Sequence, residues 1–90
     1  MIYERNPNVP WQVIEGKAVL VDSAEAQLVH FNDLGSRIWQ KLNGNHSLKE
    51  ILADLNQELD VSFSTLEKDA MKFIRQLTQM ELIRKKDVNR

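Results

Sequence analysis

The chain has 90 residues, no cysteine, and 12 basic against 13 acidic residues, for a net charge of −1. Without cysteine it has no disulfide, no thiolate metal site and no thiol nucleophile. The balanced charge argues against a protein that neutralises nucleic-acid phosphates or an anionic membrane. With 42% hydrophobic residues the chain can bury a core, but a single domain this small leaves little room for a deep catalytic cavity as well. A binding module is therefore favoured.

The first ten residues, MIYERNPNVP, contain two prolines and two asparagines and predict an irregular arm over 1–10. Two extended runs follow, over 11–15 and 17–22, and Gly16 between them suits a tight hairpin turn. A short connection leads to a third run, over 27–31. Three consecutive strands with short links predict an antiparallel meander, in which the third strand is an edge with one unpaired side.

Alternation within the third predicted strand separates its side chains into two sets. Val29 and Phe31 point to one face of the sheet, and Leu28 and His30 point to the other. We expect the bulkier pair to face the helices.

The first predicted helix follows the third strand almost without a linker. Asn32 or Asp33 supplies an N-cap oxygen. Gly35 in the first turn costs about 1 kcal/mol of helix propensity, and this suggests that another backbone approaches closely there. Gly44 is predicted to end the helix as its C′ residue. The expected apolar positions are Leu34, Ile38, Trp39 and Leu42.

Two further helices are each introduced by a capping-box pattern, Ser47 with Glu50 and Ser64 with Glu67. Their apolar positions recur at helical spacing. These positions are Leu48, Ile51, Leu52, Leu55 and Leu59 in the second helix, and Leu66, Ala70, Phe73, Ile74 and Leu77 in the third, with Leu82 and Ile83 closing the core. The charged tail over 84–90 is predicted to fray.

The predicted fold class is therefore α+β. A three-stranded antiparallel meander precedes three helices, which can form a trihelical group like that of a winged helix-turn-helix, with the sheet as its wing. The expected domain spans 11–83, between the arm and the charged tail.

The sequence carries no recognisable catalytic pattern. His30 and His46 are far apart, and no pair of histidines has the spacing of a metal site. The serines lack a nucleophile-elbow context, and no glycine-rich phosphate loop is present. We therefore expect no enzyme activity, no metal and no cofactor. Without a secretory signal or a long apolar run, we expect a cytoplasmic protein.

Two kinds of binding module are compatible with the same pattern. A winged-helix DNA-binding regulator would read DNA with its third helix, but that helix mixes acidic and basic residues, and winged helices usually place their hairpin after the helices. A structural module would instead pair the edge strand with the same strand of a second copy, giving a homodimer.

The stretch HFNDLGSRIWQKLNGNHSLKEILADL, residues 30–55, resembles the PqqD-like family, also known as RiPP recognition elements. The family pattern has a glycine before an apolar strand, then L-N-x-x-G-x-x-I-W, a glycine-centred break, S-x-x-E-I and D-V-x-x-F-L-x-x-L. The matching segments here are Gly16 before 18–21, FNDLGSRIW at 31–39, Gly44, SLKEI at 47–51 and DAMKFIRQL at 69–77. Together they cover about 11–83 of the chain. The segment DSAEA at 22–26 departs from the turn of dedicated quinone-pathway members.

The resemblance implies a non-enzymatic peptide chaperone. Family members hold the leader segment of a ribosomally made precursor as an added strand and present it to a modifying enzyme, often a radical S-adenosylmethionine protein. Lys72 and Arg75 would meet acidic leader residues, and Met71 suits a tolerant pocket. The full predicted site is Gln27, Leu28, Val29, His30 and Phe31 on the strand, and Met71, Lys72, Arg75 and Gln79 on the third helix.

Overall fold

The computed structural model describes residues 2–86. Its fold is α+β, as predicted, with an antiparallel meander ahead of three helices and, in addition, a second small sheet. The elements in chain order are β1 Ile2–Arg5, β2 Trp11–Ile14, β3 Lys17–Asp22, β4 Gln27–His30, α1 Asp33–Lys41, β5 Asn43–Ser47, α2 Leu48–Glu58, α3 Phe63–Gln79 and β6 Ile83–Lys85.

The meander is a three-stranded sheet with the order β2-β3-β4. Both pairs are antiparallel, with Leu20 of the central strand opposite Trp11 on one side and Val29 on the other. Glu15 and Gly16 both have positive φ, at 52° and 83°. Two positive φ values at the centre of a two-residue link are characteristic of a type I′ turn, whose twist matches that of the flanking strands.

The prediction of an irregular N-terminal arm is wrong for Ile2–Arg5. These residues form the central strand of the second sheet, with the order β5-β1-β6. Both pairs are antiparallel. The prediction that the tail frays from residue 84 is likewise wrong for Arg84 and Lys85, which belong to β6. Residues 87–90 lie outside the described part of the chain. The second sheet thus joins the start, the middle and the end of the chain.

Arg5 connects the second sheet to the end of α1. One guanidinium nitrogen donates to the carbonyl oxygens of Trp39 at 2.8 Å and Gln40 at 3.0 Å. These carbonyls lie in the last turn of the helix. The Trp39 carbonyl also accepts from the Leu42 amide at 3.2 Å, so the guanidinium supplies a second donor there. The guanidinium also lies 4.8 Å from the ring centroid of Trp11, and burial lowers the pKa of Arg5. The side chain therefore caps α1 and packs against the meander.

The helix starts follow the predicted capping chemistry in two of three cases. Asn32 caps α1 by accepting from the Gly35 amide at 2.8 Å, and Ser47 forms the predicted capping box with Glu50. The third cap is Ser62 rather than Ser64, so α3 begins two residues earlier than the Ser64 box implies. Both Ser62 and Ser64 have a hydroxyl that can cap a helix, and in the structure Ser62 is the N-cap.

Gly44 is not the C′ residue of α1, because that helix already ends at a Leu42 C-cap. It lies instead in β5 with φ of 82°, where a Cβ would be 3.1 Å from Glu4 Oε1. The glycine therefore allows β1 and β5 to pack closely.

The predicted apolar positions form the core or pack against it, except Leu59, which is half-buried and is the C-cap of α2. Trp39 is fully buried, and its ring packs against those of Trp11 and Phe31. Leu82 and Ile83 close the core after α3 with 3% exposure each. The other buried helix positions are Ile38, Leu42, Leu48, Ile51, Leu52, Leu55, Leu66, Ala70, Ile74 and Leu77. Among residues 2–86, no helix combines the length and apolar character needed to cross a membrane.

Candidate functional site

β4 is an edge strand of the meander, and within residues 2–86 it pairs only with β3. The Phe31 amide donates to the Ala18 carbonyl at 3.2 Å, which makes Ala18 and Phe31 a hydrogen-bonded pair. Such pairs alternate along an antiparallel ladder, so Val29 also directs its backbone groups toward β3. The backbone groups of Leu28 and His30 therefore point to the unpaired edge.

A buried serine holds the junction between β4 and α1. The Ser36 hydroxyl accepts from the Ala18 amide at 2.8 Å and lies 3.5 Å from the Phe31 carbonyl oxygen, to which it can donate. The side chain is buried, at 1% exposure. The hydroxyl thus takes the place of the second backbone bond of this pair, so the chain turns into α1 without leaving the Ala18 amide unpaired.

The predicted division of the β4 side chains is confirmed. Val29 and Phe31 pack against the core, while His30 is exposed and Leu28 is 60% exposed on the outer face. Leu28 and His30 therefore face away from the helices, and only their backbone groups reach the open edge.

A groove begins where β4 ends. It has a volume of about 220 Å³ and lies between the first turn of α1 and one side of α3. We call it the α1–α3 groove. Its lining residues are Asn32, Leu34, Gly35, Ile38, Asp69, Lys72, Phe73 and Gln76. Phe73 connects it to the strand, because its ring packs edge-on against that of Phe31 with 5.0 Å between centroids.

Gly35 makes room for this groove. A Cβ at this position would lie 3.1 Å from Oδ1 of Asn32 and 3.2 Å from Cζ of Phe73. Both contacts are tighter than ordinary packing allows, so a larger residue would push on the helix cap and on the groove wall together. The expected close approach is real, but the neighbours are side chains and not another backbone.

The structure separates the four predicted residues of α3. Lys72 lines the groove. Met71 lies two positions from both Asp69 and Phe73, which corresponds to about 200° around a helix, so it points away from the groove. Arg75 does not line the groove, but it lies three positions from Lys72, or about 60° around the helix, and therefore flanks the groove on the Lys72 side. Gln79 is exposed one turn past the last lining residue.

Sequence reasoning did not assign Asn32, Asp69 and Gln76 to the site. The signal for the helix side was present, because Asp69, Lys72, Phe73 and Gln76 follow the i, i+3, i+4, i+7 spacing of a single helix face. That face mixes charged, aromatic and amide side chains, so it does not stand out as an apolar stripe. The groove presents one basic and one acidic side chain, and neither forms an ion pair within the described residues.

Within residues 2–86, no group of three or more histidine, aspartate or glutamate side chains is arranged to hold a metal ion. The arrangement offers instead a strip of backbone donors and acceptors followed by a groove for side chains, which is the geometry that binds an extended peptide by strand addition.

Comparison with known proteins places this fold. The chain is similar to TbiB1, solved in complex with the TbiA(beta) leader peptide, with 26% identity, a TM-score of 0.81, and coverage of 93% of this chain and 98% of TbiB1. It shares its fold with a lasso peptide synthetase B1 complexed with the leader peptide, at 20% identity and a TM-score of 0.80, over 94% of this chain and 100% of that one.

No curated protein sequence matches the chain. The family model described as coenzyme PQQ synthesis protein D matches residues 17–83. This match spans β3, the open edge of β4, all three helices and the start of β6. The chain belongs to the PqqD family.

Proposed function

We propose that this protein binds the leader segment of a ribosomally synthesised precursor peptide and presents the precursor to a modifying enzyme. The leader adds a strand to the open edge of β4, and its side chains continue into the α1–α3 groove. The observation that carries the proposal is the juxtaposition of that edge with the groove. The fold similarity to two proteins that were solved with leader peptides supports it.

The edge alone does not supply enough affinity. Leu28 and His30 offer four outward backbone groups, each worth about 0.5–1.5 kcal/mol when it is bonded. Ordering a flexible guest costs about 1–2 kcal/mol per residue, and micromolar binding needs about 8 kcal/mol. Side-chain burial in the groove must supply the difference, and Phe73 and Lys72 are placed to contribute. We infer that the protein acts by binding and positioning, with the modification carried out by the partner enzyme, for which a radical S-adenosylmethionine protein is our first candidate.

Peptide selection followed by NMR tests the proposal. Short peptides from a displayed random library are selected on the protein and then titrated into isotopically labelled protein. We expect the largest amide shifts at Leu28 and His30, because their N–H groups gain new acceptors. Saturable binding that shifts amides elsewhere and leaves β4 unchanged would contradict strand addition.

A pair of substitutions at His30 isolates the backbone contribution. Proline is tolerated in an edge strand where its missing N–H faced solvent, so His30→Pro removes the outward donor and spares the ladder with β3. We expect it to weaken binding about tenfold, or ~1.4 kcal/mol. His30→Ala removes only the side chain and should bind as the wild type does. Equal affinity for all three proteins would exclude backbone pairing at this position.

The same edge could in principle pair with a second copy of the chain, and the two cases are distinguished by concentration. Sedimentation velocity should show one species whose mass does not change with concentration, and which binds one peptide per chain. A dimer that dissociates when peptide is added would show that self-pairing competes for β4.

A further inference from the structure

A second cavity lies next to the α1–α3 groove, at the link between α2 and α3. It has a volume of about 270 Å³, and most of its lining is apolar. We call it the Asp60 pocket. It is lined by Asp33, Leu34, Leu59, Asp60, Val61, Thr65, Leu66 and Asp69. An apolar cavity of about 150 Å³ is enough to hold benzene, so this one can hold an aliphatic or aromatic side chain.

The rim of the Asp60 pocket is acidic. Three of its residues are aspartates, and no lysine or arginine lines it. Arg37 forms ion pairs with two carboxylates. Its guanidinium lies 3.7 Å from the carboxylate of Asp33 and only 3.1 Å from that of Glu58, so Asp33 is the weaker partner. Within residues 2–86, Asp60 and Asp69 have no ion-pair partner. The rim therefore carries negative charge that the described chain leaves largely uncompensated, beside apolar surface at Val61, which is 45% exposed.

The pocket adjoins the α1–α3 groove. Leu34 and Asp69 line both cavities. Along α3 the order is Thr65 in the pocket, Asp69 at the boundary and Lys72 in the groove. Seven helical positions, from Thr65 to Lys72, span about 10 Å, which is about three residues of extended peptide. A guest that leaves the end of β4 through the groove reaches the pocket within a few residues.

From this arrangement we propose, building on the proposed function, that the Asp60 pocket is a second specificity site for the bound peptide. It accepts an aliphatic or aromatic side chain of the guest, flanked by a lysine or arginine that lies against Asp60 and Asp69. The charge order along α3 then sets the charge order of the guest. An acidic residue lies opposite Lys72, and a basic residue follows one to three positions farther from β4, since Asp69 lies about 4.5 Å and Thr65 about 10 Å from Lys72 along the helix.

Sequencing of the selected peptides tests this directly. The random library is selected in parallel on the wild type, on Asp60→Asn and on Asp54→Asn, the last being a control at an exposed acid of α2 outside both cavities. We expect the peptides selected on the wild type and on the control to carry a basic residue next to an apolar one at a fixed distance from the strand-pairing segment. Asp60→Asn should lose that basic preference.

Affinity measurements with one selected peptide give the second readout. Replacing its basic residue with glutamine should weaken binding to the wild type about threefold, in the range of a partly exposed ion pair, and should have no effect on Asp60→Asn. Circular dichroism confirms that each variant is folded. Peptides that shift the amides of Leu28 and His30 but show no basic preference would overturn this inference and leave strand addition standing. Peptides that do not shift those amides would contradict the proposed function itself.

Discussion

The two sheets of this protein have the same number of strands and differ in the surroundings of their edge strands. Both have three antiparallel strands and therefore two edges each. In the second sheet, β6 is three residues long and exposes Arg84 and Lys85, while β5 runs directly into α2. Short length and charge are common protections of a sheet edge. The β4 edge is also short, at four residues, but it carries no lysine, arginine or proline, and it opens onto a groove.

The comparison supports our proposal that the open β4 edge, with side-chain pockets at its end, is the binding site. The second sheet holds the chain's start and end together, and its charged groups are used internally. Arg84 pairs with Glu4 at 3.0 Å, and Lys86 donates to the Gly44 carbonyl at 3.0 Å. Within the described residues, the meander leaves the outward backbone groups of Leu28 and His30 unpaired, and α3 leaves Lys72 without an ion-pair partner. We therefore expect changes in the second sheet to affect stability, and changes around β4 to affect binding.

The largest expected effect is on stability, at Arg5. Arg5→Ala removes two charge-assisted bonds to the end of α1, each worth about 1.5–3 kcal/mol, and should lower the free energy of unfolding by about 3 kcal/mol. Arg84→Ala is the control in the same sheet, since its pair with Glu4 is exposed and worth about 0.5 kcal/mol. Urea denaturation measures both. Equal losses would show that the cap on α1 is not what Arg5 contributes.

The next effect is at Gly44. Gly44→Ala forces an L residue into positive φ, which costs about 1–2 kcal/mol, and also places a Cβ against Glu4. Gly16→Ala has the same φ penalty but no atom within 4 Å of the added Cβ. We expect losses of about 2 and about 1 kcal/mol respectively, again measured by denaturation. If the two variants were equally stable, the close approach of β1 and β5 would have no energetic consequence.

Charge reversals at two neighbouring positions of α3 compare a residue that lines the groove with one that does not. Lys72→Glu should weaken binding of an acidic edge-binding peptide about tenfold, because it replaces attraction with repulsion in the groove. Arg75→Glu makes the same charge change at a neighbouring position outside the groove lining and should stay within about twofold. Isothermal titration at low and high salt gives the affinities, and the difference should shrink as salt screens the charges. A larger effect at Arg75 would place the guest outside the groove.

The smallest expected effect is at Leu28. Leu28→Ser should change the free energy of unfolding by no more than about 0.5 kcal/mol and leave peptide affinity unchanged, because the side chain faces outward. Val29→Ser, one position away, replaces a side chain packed on the core and should reduce both quantities. Fluorescence anisotropy and thermal melting compare the pair. A loss of affinity at Leu28 equal to that at Val29 would mean that the guest also covers the outer face of the sheet.

The meander, the helices and the open edge follow from local sequence patterns. Turn chemistry at Gly16, two-residue alternation through Val29 and the capping box at Ser47 each act over a few residues, and the structure has all three. The Ser62 cap shows the usual limit, since equivalent hydroxyls two positions apart compete for the same helix end.

The second sheet could not be predicted from local sequence patterns. β1 follows the start of the chain and precedes a stretch rich in proline and asparagine, and its partners are in the middle and at the end of the sequence. β5, with the sequence NGNHS, has weak strand propensity and is held by its pairing with β1. The groove is similarly non-local, because Asn32 and Gln76 meet only after α1 and α3 have packed. The packing of α1 against α3 determines which side of α3 lines the groove.

The hydroxyl of Ser36 bears on how much of the site is ordered before a peptide binds. The hydroxyl bridges the Ala18 amide and the Phe31 carbonyl, where a backbone hydrogen bond would otherwise end the β3–β4 ladder. It thereby fixes the point at which β4 ends and the wall of the α1–α3 groove begins. We therefore expect this junction to keep its conformation when a peptide binds, so that most of the ordering cost falls on the peptide.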